Sequence, residues 1–140
     1  MAKPAPRLTP VNRPFWEACN EDRLRLQRCT AEACRRFVYF PRVCCPYCGN
    51  GDLTWEDVSG RGTVTTFTIV HQPLSPNFEA DVPYVYGAVT LEEGPLLYTR
   101  LDVSPDAVQG LNGRSVEVVF RDDQVEGQKL PFFRPVELGA

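Results

Sequence analysis

At 140 residues, with 43% hydrophobic and 24% charged residues, the chain is sized for one domain with a small appended module. Such a chain buries roughly two-thirds of its unfolded surface, enough for a modest core but little for an enzyme that must also build a deep cofactor cleft. The net charge of −3 hides a split: residues 1–50 carry nine Lys or Arg against four acids, the remainder six against fourteen, so two modules with different surfaces are expected.

Residues 1–13 read as an extended, Pro-rich N-terminus. The opening MAKPAPRLTPVNRPFW lacks the apolar run of a signal peptide, and no later stretch has the length of a membrane-spanning helix. The expected compartment is the cytoplasm, where thiols stay reduced. Six cysteines in that setting point to a metal before disulfides.

NRPFWEACNEDR reads as a short helix, with Asn12 or Arg13 at the cap, Pro14 in the first turn, and Phe15, Trp16 and Cys19 near one face. RLRLQRC alternates, placing Leu24 and Leu26 on one side of a half-exposed strand and arginines on the other. FVYF is a second short strand, ended by Pro41. Residues 14–50 thus hold the helix and the cysteine pairs. From Asp52 the texture changes: LTWEDVSGRGTVTTFTIVHQ is rich in β-branched and aromatic residues, and Gly60 and Gly62 mark a bend or bulge. PYVYGAVTLEEGPLLYTRLDV reads as two strands joined at Glu93-Gly94, and SPDAVQGL as a helical turn. NGRSVEVVF is a strand introduced by a tight turn, and KLPFFRPVEL is the last strand. Five or so strands with one helical turn make residues 51–140 a small closed barrel with a C-terminal tail. The fold class is mainly β.

Cys45-Pro-Tyr-Cys48-Gly49 is a C-x-x-C-G knuckle, in which one tight turn presents two thiolates to one ion and Gly49 takes a positive φ. Cys29-Thr-Ala-Glu-Ala-Cys34 is a wider pair eleven residues earlier, with two extra residues and no glycine. Two such knuckles, each beside a short strand, form a rubredoxin-like zinc ribbon with Cys29, Cys34, Cys45 and Cys48 as ligands of a structural Zn²⁺. The alternative is a degenerate ribbon without metal. Cys44 lacks the x-x spacing to Cys48 and is packed or idle; Cys19 belongs to the helix core. A four-thiolate site leaves no open position for water, so catalysis at the metal is not expected. His71 stands alone at a strand end and reads as a hydrogen-bonded surface residue. No nucleophile elbow or phosphate loop is present, and no residue is assigned a catalytic role.

FWEACNEDRLRLQRC, YFPRVCCPYCG, WEDVSGRGTVTTFTIVH, PYVYGAVTLEEGPLL and LPFFRP run in the order found in a family called domain of unknown function 35, which the chain resembles over residues 14–135. The resemblance implies a zinc ribbon joined to a five-stranded OB-fold barrel. It implies a non-catalytic accessory subunit that assembles with a thiolase-like catalytic subunit (a thiolase or an acyl-CoA aldolase), two copies of each, and contributes to binding acyl-CoA or CoA. Part of the apolar surface around PFW and LPFF would then be covered by that partner. CoA's phosphates would favour the arginine-rich side of the ribbon, at Arg35, Arg36 and Arg42, with Phe37 or Tyr39 stacking on adenine. The competing function is nucleic-acid binding, which ribbons and OB folds both support. The charge of −8 on residues 51–140 opposes it, because a strand-tracking groove needs a positive face. Neither a nucleic acid nor a membrane is expected as partner.

Overall fold

The computed structural model describes residues 3–123 and 125–136. Met1 and Ala2 of the expected N-terminal segment, and the end of the last strand and tail at 137–140, lie outside them.

Helix α1 spans Arg13–Asn20 and buries Phe15, Ala18 and Cys19. Asn12 precedes it but does not cap it with its side chain. Instead its Oδ1 accepts from the Thr9 amide at 2.8 Å and its Nδ2 donates to the Arg7 carbonyl at 3.1 Å, fixing the path of the N-terminal segment. Burial pushes the Cys19 thiol up to about 12, as suits a core thiol held neutral.

Strands β1 (Arg25–Cys29), β2 (Phe37–Val38) and β3 (Leu53–Asp57) form an antiparallel sheet in the order β2-β1-β3. Leu24 and Leu26 are buried, as their alternation requires. Gln27 is buried as well, because its side-chain amide accepts from the Arg42 N–H at 2.7 Å and donates to the Arg42 carbonyl at 2.8 Å. By texture β3 belongs with the barrel strands; by hydrogen bonding it belongs to the ribbon sheet. Opposite charges across the β1–β3 pair explain the choice, with Arg25 on Asp57 at 2.9 Å and Arg28 on Glu56 at 3.6 Å.

The barrel closes through β4 (Arg61–Val70), β5 (Tyr84–Leu91), β6 (Leu96–Leu101), β8 (Leu130–Pro135) and β7 (Ser115–Arg121), in that order. Its entry needs two glycines. Gly60 has φ +75 and lies where a Cβ would sit 2.5 Å from Val118 Cγ1, and a Cβ on Gly62 would sit 2.4 Å from the Thr90 carbonyl oxygen. The register shift itself comes later, between Val64 and Thr66. The β5–β6 turn falls at Glu93-Gly94 and a 3₁₀ turn at Pro105–Ala107, both as read from the sequence. A further 3₁₀ turn, Pro76–Phe78, was not signalled. The main core is continuous across both sheets: Phe15 and Leu26 from the helix and ribbon side join Val85, Leu97 and Phe133 from the barrel.

Lys3 straps the N-terminal segment onto this body. Its side chain is 3% exposed and its Nζ meets Asp81 and Asp123, the latter at 2.6 Å. Arg100 joins both carboxylates, at 3.2 and 3.8 Å. Burial alone would lower the Lys3 pKa, but hydrogen bonds and attraction from the two carboxylates outweigh it and raise it. From the sequence Asp123 reads as a solvated loop residue; its closure in this quartet comes from pairing across 120 residues.

Candidate functional site

The four expected ligand cysteines converge. Their sulfurs all lie within 4.8 Å of one another, with Cys29–Cys48 at 3.5 Å and Cys34–Cys45 at 3.7 Å. A tetrahedron of zinc–sulfur bonds near 2.3 Å has edges of about 3.8 Å, so the donor set fits zinc in kind, number and spacing. The Tyr47 amide donates to Cys45 Sγ at 3.4 Å, and the backbone amides of Ala31, Arg36 and Asn50 act on the Cys29, Cys34 and Cys48 thiols in the direction that favours the thiolate. That is what a knuckle does: the turn that brings two thiolates together also turns amide dipoles towards them.

The local turns show how. In the second knuckle Gly49 has φ +81, donates its N–H to the Cys45 carbonyl at 2.8 Å, and leaves Cys45 to donate to the Asn50 carbonyl at 2.8 Å. In the first knuckle, which lacks a glycine, Arg35 takes the equivalent position with φ +57. Its amide donates to the Ala31 carbonyl at 3.0 Å and its carbonyl accepts from Arg28 Nε at 2.8 Å. The two inserted residues are accommodated, and the strain is placed on a residue with a Cβ. Replacing Arg35 by Gly is therefore expected to raise stability by about 0.5–1 kcal/mol, and replacing it by Ala to leave it unchanged, in urea unfolding of the metal-loaded protein. Equal effects of the two substitutions would place the strain elsewhere.

Four thiols this close cannot all ionise unaided. Burial pushes the Cys29 thiol up, but hydrogen bonds from the Ala31 amide, the Asn50 side chain and Cys48 outweigh it and bring it to about 6. The Asn50 amide lowers Cys48, yet its bond to Cys29, burial, and Cys45 and Cys34 push it up to about 12. A cation is what would hold the full tetrathiolate. Asn50 is a positioning residue the sequence reading missed: its Nδ2 donates to Cys29 Sγ at 3.6 Å and to Thr30 Oγ1 at 3.1 Å. An asparagine directly after C-x-x-C-G was the available signal. Cys44 is exposed and outside the cluster, and His71 is exposed in the loop after β4.

Of the five residues expected at CoA, three come together. Arg35, Arg36 and Phe37 line a cleft of about 400 Å³ with Arg28, Tyr47 and the Glu93–Pro95 turn of the barrel. Arg28 stacks on Phe37 and Arg36 on Tyr47, each guanidinium carbon 4.7 Å from the ring centre. Among the described residues no carboxylate pairs with Arg35 or Arg36. Glu93, the acid in the cleft, accepts from the Ser59 amide at 2.8 Å. Arg42 and Tyr39 are not in this cleft. Arg42 lies between the bends at Tyr39–Phe40 and Val43–Cys44, where its backbone is held by Gln27. Tyr39 packs edge-on to Phe15 at 5.8 Å and belongs to a different hollow.

No helix among the described residues is long and apolar enough to cross a membrane. Residues 16–54 match the family model of the ChsH2 rubredoxin-like zinc ribbon domain, and residues 55–121 that of the ChsH2 C-terminal OB-fold domain. A Methanocaldococcus jannaschii protein named DUF35 domain-containing scaffold protein is 38% identical over 110 residues, covering 71% of this chain and 74% of its own length. A Pyrococcus furiosus protein of the same name is 43% identical over 86 residues, covering 60% of this chain. A Thermomonospora curvata protein named "Probable enoyl-CoA hydratase alpha subunit" is 35% identical over 134 residues, or 95% of this chain. The chain spans only 40% of that protein's length and 61% of the Pyrococcus protein's. A chain of the solved Ltp2-ChsH2(DUF35) aldolase superposes with a TM-score of 0.79 at 34% identity, covering 94% of this chain and 98% of that one. A zinc ribbon with four clustered cysteines and a five-stranded OB-fold barrel thus meet in one chain, which belongs to the domain of unknown function 35 family, in its ChsH2-type form.

Proposed function

We propose that the chain is a non-catalytic accessory subunit of a thiolase-like acyl-CoA enzyme, two copies of each chain, and that its arginine cleft receives the phosphates of CoA. The observation that carries the second half is the convergence of Arg28, Arg35 and Arg36 with Phe37 and Tyr47 in one cleft, where two guanidinium groups have no carboxylate to satisfy them. CoA carries a diphosphate and a 3′-phosphate, and forked guanidinium donors bind such groups in pairs. The adenine has Tyr47 and Phe37 beside it, each already faced by an arginine, so the stack would be built on the opposite ring faces. The first half is supported by the likeness to scaffold proteins and to a chain of an aldolase. The zinc stays outside the chemistry, since four thiolates would fill its coordination.

The zinc's part would be to hold the knuckles that carry Arg35, Arg36 and Tyr47, so that the cleft is preorganised before ligand arrives. Co-purification of the tagged chain from its native host, with mass spectrometry of what accompanies it, is expected to return a thiolase-like chain. The pair should turn over an acyl-CoA and the single chain should not. In the pair, Arg36→Glu is expected to weaken CoA binding by at least ~10-fold, while Arg42→Glu leaves it within ~2-fold. Unchanged affinity in Arg36→Glu would remove the cleft from the reading. Turnover by the homogeneous single chain would remove the accessory role.

A further inference from the structure

A lysine is seldom buried unless its charge is matched, yet the Lys3 side chain is 3% exposed while the chain beside it lies open. None of residues 4–11 is buried. The N-terminal segment is thus a strap fastened at two ends, by Asn12 beside α1 and by the Lys3 ammonium. At its far end the strap meets the β4–β5 loop.

That loop, residues 71–83, joins two antiparallel neighbours. Such a connection needs only about two to five residues. The extra length adds nothing to the core: none of residues 71–83 is buried, and Leu74 is 84% exposed. Its turn bonds stay within it, the Phe78 amide donating to the Ser75 carbonyl and the Asp81 amide to the Phe78 carbonyl, both at 3.0 Å. Among the described residues, its polar ties to the rest of the chain run through the Asp81 carboxylate, to Lys3 at 2.5 Å and to Arg100 at 3.2 Å. The Phe78 ring faces the same ammonium, 5.6 Å from Nζ. A loop without buried side chains is therefore held down by charge.

The other members of the quartet are fixed. Arg100 stands on β6 with its guanidinium against the rings of Tyr84 and Phe132, at 4.6 and 5.8 Å. Asp123 belongs to the β7–β8 connection, which is tied to α1 by Gln128 on the Trp16 carbonyl at 3.0 Å and by the Lys129 amide on Asn20 at 2.8 Å. Without the Lys3 ammonium, two carboxylates would share one guanidinium, and an unmatched charge out of water is costly. Asp81 is the member free to turn to water, and the loop would go with it. Leu74 and Phe78 of that loop line the aromatic hollow, about 300 Å³, together with Trp16, Tyr98 and Phe132. We infer that the β4–β5 loop is a lid on the aromatic hollow, latched shut by Lys3 at the end of the N-terminal strap. The latch needs neither CoA nor a partner, so it stands apart from the function proposed above.

The test uses the zinc-loaded chain with Lys3→Ala, in a Trp55→Phe background that leaves Trp16 as the one tryptophan. The Phe78 and Asp81 amides are expected to exchange deuterium at least ~10-fold faster than in the parent, while β5 and β6 amides stay within ~2-fold. Acrylamide should quench Trp16 at least ~2-fold more strongly, because the hollow it lines is uncovered. n-Propylammonium restores the atoms that Lys3→Ala removes. At a concentration on the order of 100 mM it should return both readouts to within ~2-fold of the parent. Propanol, which lacks the charge, and tetramethylammonium, which lacks N–H donors, should restore neither. Arg7→Ala, in the exposed part of the strap, should leave both readouts at the parent's values. Unchanged exchange and quenching in Lys3→Ala would overturn the latch. So would failure of n-propylammonium to restore them, or equal rescue by propanol or tetramethylammonium. Faster loop exchange with unaltered Trp16 quenching would show a loop that covers nothing, and faster exchange throughout β5 and β6 would make Lys3 a support of the whole barrel; either result removes the lid.

Discussion

Stripping the metal, or replacing Cys45 by Ser, is expected to unfold the two knuckles while the barrel persists. The knuckles have almost no other support. The small core beneath them consists of Cys29, Val38 and Cys45 with Ala31, Cys34 and Leu53 packed against it, and half of that set is ligand. A structural zinc supplies its binding energy as folding energy, and a missing thiolate removes most of it. Deuterium exchange of amides in residues 30–50 should accelerate by more than ~100-fold. The β5 and β6 amides should stay protected, and metal content should fall from one zinc per chain to none. Cys44→Ser is the control and should change neither quantity, since Cys44 is exposed and outside the cluster. Retention of zinc in Cys45→Ser together with its loss in Cys44→Ser would reassign the ligand.

Phe15→Ala should be the most damaging single change among the core residues of α1. The ring is 1% exposed, meets Trp16 edge-on at 4.9 Å, and belongs to the cluster that joins Leu24 and Leu26 to the barrel's Val89 and Leu97. Truncating it leaves a cavity between two sheets that cannot close independently, so a loss of about 3–5 kcal/mol is expected in urea unfolding. The transition should remain single when followed by Trp55 fluorescence on β3 in a Trp16→Phe background and by far-ultraviolet circular dichroism of the whole fold. Two separated transitions in that variant, or a loss below about 1.5 kcal/mol, would show that the sheets do not share a core.

Where the information was local, the sequence was readable. The C-x-x-C-G spacing, Pro14 in the first turn of α1, the Glu93-Gly94 hairpin and the alternation of Leu24 and Leu26 with arginines all act over a few residues, and each led to the right element. Choices of partner were not local. The alternation of Leu53–Asp57 announces a strand but is silent on which sheet takes it; the ion pairs to Arg25 and Arg28 that settle it span about thirty residues. Adjacent aromatics were equally ambiguous. Phe15 and Phe133 are core, while their neighbours Trp16 and Phe132 line the aromatic hollow, and Pro14-Phe15-Trp16 or Leu130-Pro131-Phe132-Phe133 alone cannot say which ring goes where. The arginines divide for a simpler reason. Arg35, Arg36 and Arg42 are close in sequence, but the bends at Tyr39–Phe40 and Val43–Cys44 and the Gln27 bonds keep Arg42 out of the cleft that the other two line.

The boundary between the two family segments, at residues 54 and 55, falls inside β3, whose five residues pair continuously with β1. A gene rearrangement cut at that point would split one strand between two products and expose the core that Phe15, Leu24 and Leu26 share with the barrel. Ribbon and barrel are therefore expected to be exchanged between genomes as one cassette, and the Thermomonospora curvata relative, which matches 95% of this chain within a much longer polypeptide, carries the pair intact.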